Sequence, residues 1–474
     1  MALSIRRRVR LLGAIGALIA PLAFASTSVA TVEPRIGLHG VGGSFLKAAR
    51  TYATQIRRIV DWIEVEPEPG VYDFEGADEV LRAASQYNLD ITITLRCNSN
   101  RYTRIEIPEY PQNKYAAYPT DMDQWLAYLE AVIERYDGDG YNDMPGLTRP
   151  VKYWQIENEF LHMWLDTEES LHDFVRLSAA HIRLADPEAK IISPAFTNLN
   201  KFALADGIDP RDEIVVGTPL SPKKLTKEKA VRSKYNPDGN YQMAVRLIEE
   251  VAEHCDIIDL HMYPTTLDDI RYWTGWAQAT MDKAGVVRPL WSLELGLPYF
   301  HFTHLLHNQL MAPSLATGFE CGLERIYVSH LAESLNPNME HLVLLEPGTR
   351  KETSAYYNFT RATCHIDGFV AVTAHQNGDQ RAWVFEKSNG DLVTILHSES
   401  PSVETVYLPA QGVVSIYDMM GPTASVAPVG RRVRAQGGRI PVMVGPDPIV
   451  VVMPNDAHSD RIFVRGGERR SPIE

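Results

Sequence analysis

Cysteine is scarce in this sequence. Only four occur among the 474 residues, at Cys97, Cys255, Cys321 and Cys364, and four are too few for a disulfide scaffold. One or two bridges could form in an oxidising compartment, in pairings that the sequence does not fix. The chain also lacks a Cys-x-x-Cys pair and a compact Cys/His cluster. It therefore does not indicate structural zinc, and we expect neither a metal nor a cofactor.

Positive charge is also in short supply. The 46 lysines and arginines are outnumbered by 60 acidic residues, and the formal net charge is −14. A chain this acidic should repel nucleic acid and anionic membrane surfaces, so neither is an expected partner. The charge is suited to a protein that acts on neutral material.

The apolar run at the N-terminus is not long enough for a typical transmembrane helix. Four arginines among the first ten residues precede an uncharged apolar run at 11–24, which is too short to span a bilayer comfortably. Small residues follow, and sites of the A-x-A type end at Ala25 and Ala30. We therefore predict that residues 1–30 are a cleaved export signal. The mature protein would be secreted or periplasmic, without an integral membrane span and with a net charge of −18. An uncleaved membrane anchor is the alternative.

Residues 31–365 alternate short apolar runs with longer amphipathic stretches. Eight runs resemble strands, at 36–38, 55–60, 91–95, 151–156, 190–193, 257–260, 290–293 and 325–328. Helices are predicted between them, for example at 76–87, 122–136, 168–185, 241–254 and 267–284, with Asp121 and Thr167 as N-caps. This alternation predicts a parallel sheet, and eight strands predict a (β/α)8 TIM barrel with insertions. A doubly wound open sheet is the rival, but no Gly-x-Gly-x-x-Gly motif follows a strand.

Helical periodicity stops near residue 366. Short β-like runs follow at 369–374, 381–386, 392–396, 405–408, 413–417 and 449–452, separated by Gly, Asn, Asp and Pro. The Ser-Asn-Gly-Asp sequence at 388–391 is a hairpin signal. We predict a small all-β sandwich domain at 366–455 and a polar tail at 456–474.

Two glutamates each follow a strand-like run. Glu159 lies in YWQIENEF at 153–160, and Glu294 lies in PLWSLELG at 289–296, 135 positions further on. In a TIM barrel the functional residues lie at the carboxyl ends of the strands, so Glu159 and Glu294 can lie at the same end of the barrel. Two carboxyl groups across a cleft, one protonated and one ionised, are the minimal equipment for cleaving a glycosidic bond.

Four segments, in chain order, resemble those of clan A retaining glycoside hydrolases. Arg57 with the segment 62–67 resembles the second-strand segment, and the Asn158–Glu159 pair followed by Trp164 resembles the acid/base segment. His261-x-Tyr263 resembles the sixth-strand segment, and WSLELG at 291–296 resembles the nucleophile strand. The resemblance covers most of residues 35–455, and it implies a TIM barrel with a trailing β-sandwich.

The resemblance also implies roles for these residues. Glu159 would be the acid/base and Glu294 the nucleophile of a secreted enzyme that cleaves an oligo- or polysaccharide by double displacement, with carboxyls about 5–5.5 Å apart. Arg57 and Tyr263 would keep Glu294 ionised, and Asn158 would bond the sugar 2-hydroxyl. His261 would position one of these groups or a sugar hydroxyl. The expected substrate-binding residues are Asn158, Arg57, His261, Tyr263, Trp164 and Tyr327.

The end of the eighth strand departs from the clan pattern. Many members carry a tryptophan there, but the sequence ERIYVSH at 324–330 has none. Tyr327, His330 or another loop would have to replace it. Glu157 is the nearest competitor to Glu159, and only the family pattern favours the latter.

Two other classes of function compete with this interpretation. One is an inactive glycan-binding barrel, which the missing tryptophan favours. The other is a metal-dependent hydrolase that uses His261, His254 and nearby carboxylates. Because His254 precedes the sixth strand, we expect it at the opposite end of the barrel.

Two long loops are expected to shape specificity. The segment 98–120 carries tyrosines at 102, 110, 115 and 118, which suit either sugar faces or loop packing. The segment 198–236 contains a basic segment made up of Lys223, Lys224, Lys227, Lys229, Arg232 and Lys234. It could form a cationic wall for an anionic glycan, or it could simply be solvated.

Overall fold

A computed structural model describes residues 33–108, 115–197, 213–218, 221–226, 238–297, 304–332, 343–420, 430–455 and 464–465. The described residues belong to one compact unit. The predicted export signal at 1–30 and most of the predicted polar tail lie outside the described residues, and so does most of the long segment at 198–236.

Eight parallel strands form a nearly closed barrel. The first five are β1 (Ile36–His39), β2 (Gln55–Asp61), β3 (Asp90–Arg96), β4 (Tyr153–Ile156) and β5 (Lys190–Ile192). A two-stranded insertion follows, β6 (Glu213–Thr218) and β7 (Ser221–Thr226), and the barrel then continues with β8 (Ile258–Met262), β9 (Leu290–Leu295) and β10 (Leu323–Ser329). β10 returns to β1, and parallel bridges from Ile192 to Ile257 and from Phe196 to Leu260 link β5 to β8. The predicted TIM barrel is confirmed.

The described helices alternate with these strands. They are α1 (Phe45–Ala49), α2 (Trp62–Val65), α3 (Glu75–Gln86), α4 (Met122–Tyr136), α5 (Phe160–Met163), α6 (Glu168–Ala185), α7 (Asp238–His254), α8 (Leu267–Ala284), α9 (His304–Glu320) and α10 (Ser354–Ile366). The predicted caps are present, because Asp121 accepts hydrogen bonds from two backbone N–H groups of α4 and Thr167 accepts one from Ser170. Caps of this kind satisfy N–H groups that have no partner within the helix.

Helix α9 lies where a helix was expected, between the predicted strands at 290–293 and 325–328, but the sequence did not indicate its bounds. It contains Pro313, and it buries polar residues such as Asn308 and Thr317 together with apolar ones, so it lacks the separate polar and apolar faces of a surface helix. The structure gives the reason: α9 contacts helices α8 and α10 on the barrel side, and it also packs against the first three strands of one C-terminal sheet. A helix covered on both sides has no polar face for a periodicity to reveal.

The C-terminal region is an antiparallel sandwich, as predicted. Its strands are β11 (Phe369–Asn377), β12 (Gln380–Lys387), β13 (Leu392–Ser398), β14 (Glu404–Pro409), β15 (Val413–Asp418), β16 (Gly430–Arg434), β17 (Arg439–Val444), β18 (Ile449–Met453) and β19 (Val464–Arg465). Six form one sheet in the order β11-β12-β13-β18-β15-β16, and three form the other in the order β17-β14-β19. The predicted hairpin at 388–391 joins β12 to β13.

The structure also bears on disulfide bridges and on membrane-spanning helices. All four cysteines carry free thiols in the structure, and Cys97 and Cys255 are buried. In the part of the chain that the structure describes, no helix is long and apolar enough to cross a membrane.

Candidate active site

Glu294, near the end of β9, is the centre of the site at the carboxyl ends of the barrel strands. Its Oε1 accepts a hydrogen bond from Arg57 Nη1 at 2.7 Å, and its Oε2 accepts one from the Tyr263 hydroxyl at 2.5 Å. The structure therefore places both residues predicted to support Glu294 against its carboxylate. Tyr263 approaches closely because residue 296 is glycine: a Cβ there would lie 2.5 Å from the tyrosine ring.

Arg57 connects three strands below the rim. Its Nε donates to Thr94 Oγ1 at 2.9 Å, while Nη2 donates to Gln155 Oε1 and to Asn158 Oδ1, each at 2.7 Å. Arg57 is buried, and its contacts fix the guanidinium from several directions. Because Arg57 binds the amide oxygen of Asn158, the amide nitrogen is the group that Asn158 turns toward other partners.

Gln155 in β4 lies at the centre of this hydrogen-bond network, and both the oxygen and the nitrogen of its amide form hydrogen bonds. Its Oε1 accepts from Arg57 and from the Thr94 hydroxyl at 2.7 Å. Its Nε2 donates to Asp259 Oδ2 at 2.7 Å and to the Ser193 carbonyl at 3.0 Å. Two donors and two acceptors are thus satisfied in the barrel interior, where an unpaired polar group is costly.

His261 in β8 lies between three carboxylates. Its Nδ1 is 2.8 Å from Glu159 Oε1 and 3.6 Å from Glu294 Oε1, and its Nε2 is 3.1 Å from Asp259 Oδ2. Burial would lower the pKa of His261, but Glu294 and Asp259 act in the opposite direction, as does the bond to Glu159, and raise it to about 10. His261 is therefore an imidazolium at neutral pH.

Glu294 is held in its ionised form. Burial by itself would raise its pKa, but the positive surroundings, His261 first and then His39 and Arg57, bring the pKa well below its ordinary value. Burial holds the pKa of His39 well below its ordinary value, so the cations that stabilise the Glu294 charge are His261 and Arg57. A buried carboxylate with such partners is typical of a functional site.

The two predicted catalytic carboxylates lie next to each other. One oxygen of Glu159, one oxygen of Glu294 and one ring nitrogen of His261 all lie within 4.8 Å of one another. Both glutamates keep a small exposed area, 7% each, so the pair is buried yet open to the cleft.

Glu157 has a different environment from Glu159. Its Oε2 accepts from the Cys97 N–H at 3.2 Å and its Oε1 from the Asn158 N–H at 3.1 Å. Its φ of 63° turns the chain sharply between the end of β4 and Asn158. Burial raises the pKa of Glu157 to about 7, although Arg96 and the two N–H groups oppose the shift. Of the two competitors, Glu159 is the one that contacts His261.

Two neighbouring histidines lie beside Glu294, and one of them, His330, follows the eighth barrel strand, where the missing tryptophan would be expected. His39 ends β1, and its Nε2 is 3.5 Å from Glu294 Oε1. His330 follows β10, and its ring lies 4.8 Å from the ring of His39, measured between centroids. Gly40 makes room for it, since a Cβ at that position would be 2.4 Å from the His330 ring. Burial lowers the pKa of both histidines, so they line the cleft as neutral rings.

Two predicted substrate-binding residues have other surroundings. Tyr327 lies deep in the barrel, where its hydroxyl contacts Gln55, the first residue of β2, at 2.7 Å and Thr92 at 2.9 Å. The prediction for Tyr327 is therefore corrected: its ring packs over Gly37 inside the barrel and does not reach the rim. Trp164 packs against Phe174 and donates to the Thr167 carbonyl, so its substrate contact stays a prediction.

The predicted loops are described only in part. Tyr102 stacks on Trp62 at 4.1 Å between ring centroids, and its hydroxyl donates to the Glu66 carbonyl, so this tyrosine is a packing residue. Tyr110 lies outside the described residues. The side chains of the basic segment lie outside them as well, and its role stays a prediction.

Several signals for the site were missed in the sequence. His39 directly follows the predicted strand at 36–38, and Gln155 and Asp259 interrupt apolar runs with a polar side chain that points into the barrel. Each has the alternation expected of an inward position in a strand. The local sequence pattern does not show which inward-pointing polar residues contact one another, because these residues lie on different strands: β1, β4 and β8.

The overall fold is shared with several solved structures. A family 39 glycoside hydrolase from Bacteroides cellulosilyticus WH2 matches with a TM-score of 0.61 at 12% identity, over 88% of this chain and 80% of that one. A glucosidase from Croceicoccus marinus matches at 0.62 and 11% identity, over 89% and 96%. A GH30 endoxylanase from Clostridium papyrosolvens C71 matches at 0.60 and 12% identity, over 90% and 97%.

What is shared is the fold. At identities this low, the likeness establishes the barrel with its β domain, and function has to be argued from the site. No protein-family model matches the sequence, and no curated protein matches it either.

Glu159, His261 and Glu294 are close enough to share a metal ion, but Glu294 Oε1 already accepts a hydrogen bond from Arg57, a cation that opposes a second positive charge beside it. His254, the second histidine of the metal alternative, ends α7 before β8 begins, at the opposite end of that strand from His261. The predicted separation of the two histidines is thus found in the structure.

Proposed function

We propose that this chain is a retaining glycoside hydrolase that cleaves O-glycosidic bonds of an oligo- or polysaccharide by double displacement. The observation that carries the proposal is the approach of Glu159 and Glu294 oxygens to within 4.8 Å. Retaining enzymes place their two carboxyls about 5–5.5 Å apart, whereas inverting enzymes need about 6.5–9.5 Å to fit a water between them. These separations are between carboxyl groups, whereas 4.8 Å bounds the distance between the nearest oxygens; a pair this close favours direct attack by one carboxylate, and the configuration of the product decides.

In the first step, Glu294 attacks the anomeric carbon as the ionised nucleophile. Glu159 gives its proton to the glycosidic oxygen, the bond between that oxygen and the anomeric carbon breaks, and the leaving sugar departs as an alcohol. A glycosyl ester of Glu294 remains.

In the second step, Glu159 acts as a base. It takes a proton from water, the water oxygen attacks the anomeric carbon, and the ester bond to Glu294 breaks. During the intermediate the negative charge resides on Glu159 instead of Glu294. Because Nδ1 of His261 faces an oxygen of each residue, at 2.8 Å and 3.6 Å, the same cation stabilises the charge in both states.

Asn158 and the two histidines would bind the sugar. The amide nitrogen of Asn158 is directed by the bond from Arg57 to its oxygen, which suits a contact with the sugar 2-hydroxyl that strengthens in the transition state. His39 and His330, as neutral rings, can donate to or accept from sugar hydroxyls. They would form the part of the subsite that a tryptophan occupies in many clan A members.

We further propose that catalysis belongs to residues 31–365, that 366–455 form an accessory domain, and that residues 1–30 direct export. The acidic composition supports action on a glycan outside the cell and does not favour nucleic acid or an anionic membrane as a partner. N-terminal sequencing of the protein secreted by an expressing cell tests the export signal, and an intact N-terminus would contradict cleavage.

Stereochemistry tests the mechanism most directly. We expect proton NMR of an active substrate to show a first-formed product with retained anomeric configuration, and Glu294→Ala to lose at least roughly a thousandfold in kcat. Glu157→Gln is the matched control, because it alters a buried carboxyl two residues from Glu159 and should keep activity near neutral pH. An inverted first product would rule out Glu294 as nucleophile.

A further inference from the structure

Strand β9 contains one residue more than its neighbours at the point where it carries Glu294. Against β8, Asp259 pairs with Trp291 and His261 pairs with Glu294, so a single residue of β8 lies opposite two of β9. The pairing of β9 with β10 shows the same excess of one residue near the end of the strand, and the two irregular intervals share only Leu293. Strand β9 therefore has a β-bulge at Leu293, directly before Glu294.

The bulge determines the direction in which Glu294 points. Side chains of a regular strand alternate between its two faces, so Leu293 and Glu294 should point in opposite directions. Both instead face the barrel interior, because Leu293 belongs to the buried cluster that contains Tyr327, and Glu294 contacts Arg57. In a strand without the irregularity, Leu293 would lie opposite His261 and Glu294 would point outward to the surrounding helices.

The carboxyl group of Asp259 lies beside the bulge. Its Oδ1 accepts a hydrogen bond from the Leu293 N–H at 2.8 Å. In the register that the structure describes for β9, Leu293 has no paired residue in β8 or in β10. A buried N–H that a bulge removes from the ladder needs another acceptor. Asp259, which is fully buried, supplies that acceptor.

The second oxygen of Asp259 faces the charged groups of the site. Oδ2 accepts from Gln155 Nε2 at 2.7 Å and lies 3.1 Å from His261 Nε2. The backbone N–H of Asp259 donates to Ser193 Oγ at 3.0 Å, so the residue is held through its main chain as well as its side chain. One carboxyl group thus connects the backbone before Glu294 with the imidazole beside it.

We propose that Asp259 is a positioning residue for Glu294 and that it acts by stabilising the bulge at Leu293. This rests on the proposed function, in which Glu294 is the nucleophile, and it adds the reason that Glu294 points to the anomeric carbon. Without the carboxyl group, the bulge leaves a buried N–H unpaired, and a regular register of β9 becomes favourable. Glu294 then leaves Arg57, and a misplacement of about 1 Å can cost about a hundredfold in rate.

Two substitutions separate the hydrogen bond to Leu293 from the charge of Asp259. Asp259→Ala removes the acceptor, whereas Asp259→Asn keeps an amide oxygen for the same N–H and removes the charge. Hydrogen exchange followed by mass spectrometry should be faster in peptides covering 290–295 for Asp259→Ala and unchanged for Asp259→Asn. Thr92→Val is the matched control, because it removes a buried hydrogen bond to Tyr327 deep in the barrel. Its exchange at 290–295 should be unchanged.

Kinetics on an aryl glycoside that the protein hydrolyses test the consequence for catalysis. Asp259→Ala should lower kcat at least roughly a hundredfold with little change in KM, because the residues that bind the sugar stay in place. Asp259→Asn should lose less, and Thr92→Val should keep its kcat. Equal losses in the two Asp259 variants, with 290–295 protected in both, overturn the proposal, because Asp259 would then act through His261 alone.

Hydrogen exchange needs no substrate, so it tests Asp259 even if the chain cleaves no glycoside. A crystal structure of Asp259→Ala is a second such test, and Glu294 still bonded to Arg57 in it would overturn the proposal. Circular dichroism checks that each variant is folded. If Asp259→Ala is not, Asp259→Asn decides: slow exchange at 290–295 is the expected result, and fast exchange there contradicts the role of the acceptor.

Discussion

Replacing Tyr263 with phenylalanine should make Glu294 harder to ionise. The hydroxyl of Tyr263 donates to Glu294 Oε2 at 2.5 Å, while the ring lies beside Gly296. Phenylalanine keeps the ring and removes only the donor. Arg57 and His261 remain in place, so the substitution isolates a single contribution to the charge of the nucleophile.

The size of the effect follows from the strength of one hydrogen bond to a charged group. Such a bond contributes about 1.5–3 kcal/mol. Since one pKa unit corresponds to about 1.36 kcal/mol, the pKa of Glu294 should rise by about one to two units. The active form of Glu294 is the anion, so a higher pKa requires a higher pH for ionisation. The acidic limb of kcat/KM therefore moves to higher pH.

The measurement is the pH profile of kcat/KM for an aryl glycoside that the protein hydrolyses. Tyr102→Phe is the matched control, because that buried tyrosine bonds the Glu66 carbonyl and packs on Trp62. Its acidic limb should coincide with that of the unaltered protein. If the limb of Tyr263→Phe also coincides with it, Tyr263 does not support the ionised nucleophile and this reasoning is refuted.

Three further predictions concern other parts of the site. Glu159→Ala should slow substrates with poor leaving groups by roughly 10²–10⁴-fold and activated aryl glycosides far less, and an equal loss for both in steady-state kinetics would contradict its role as acid. Asp259→Asn should lower the pKa of the His261 ring from about 10, because it removes one of the carboxylates that raise it; an unchanged NMR titration of the ring would show that Asp259 does not act through His261. Replacing the lysines of the basic segment with glutamine should flatten any rise of KM with salt at nearly normal kcat, and a neutral best substrate with salt-independent KM would leave that segment without a role in binding.

The barrel could be predicted from the sequence because each strand carries its own signal. All eight predicted barrel strands are present, and the helices at 122–136, 168–185 and 267–284 have the predicted bounds. A local apolar run followed by an amphipathic stretch needs no knowledge of distant residues. Helix α9 lacked such a signal, because it is covered on both sides and buries polar as well as apolar residues.

The site was predictable to the extent that residues lie at strand ends. Glu159, Glu294, Arg57 and Tyr263 were placed by their order along the chain, and the structure brings them together. Tyr327 was misplaced because its height in the barrel depends on the register of β10 against β1, where Gly37 leaves space for the ring. The contact between Asp259 and His261 was missed, since two residues of one strand on the same face carry no mark that both serve catalysis.

The fully bonded amide of Gln155 has a consequence for how the protein meets its substrate. With both oxygen acceptors and both nitrogen donors engaged, the amide cannot rotate without breaking bonds to Arg57 and to Asp259. The amide dipole of Gln155 and the groups bonded to it are thus already oriented before a sugar binds. Little reorientation of these groups is needed as charge develops in the transition state. Free and ligand-bound crystals should accordingly superimpose at this floor, and whatever closing movement accompanies binding should be confined to the loops above it.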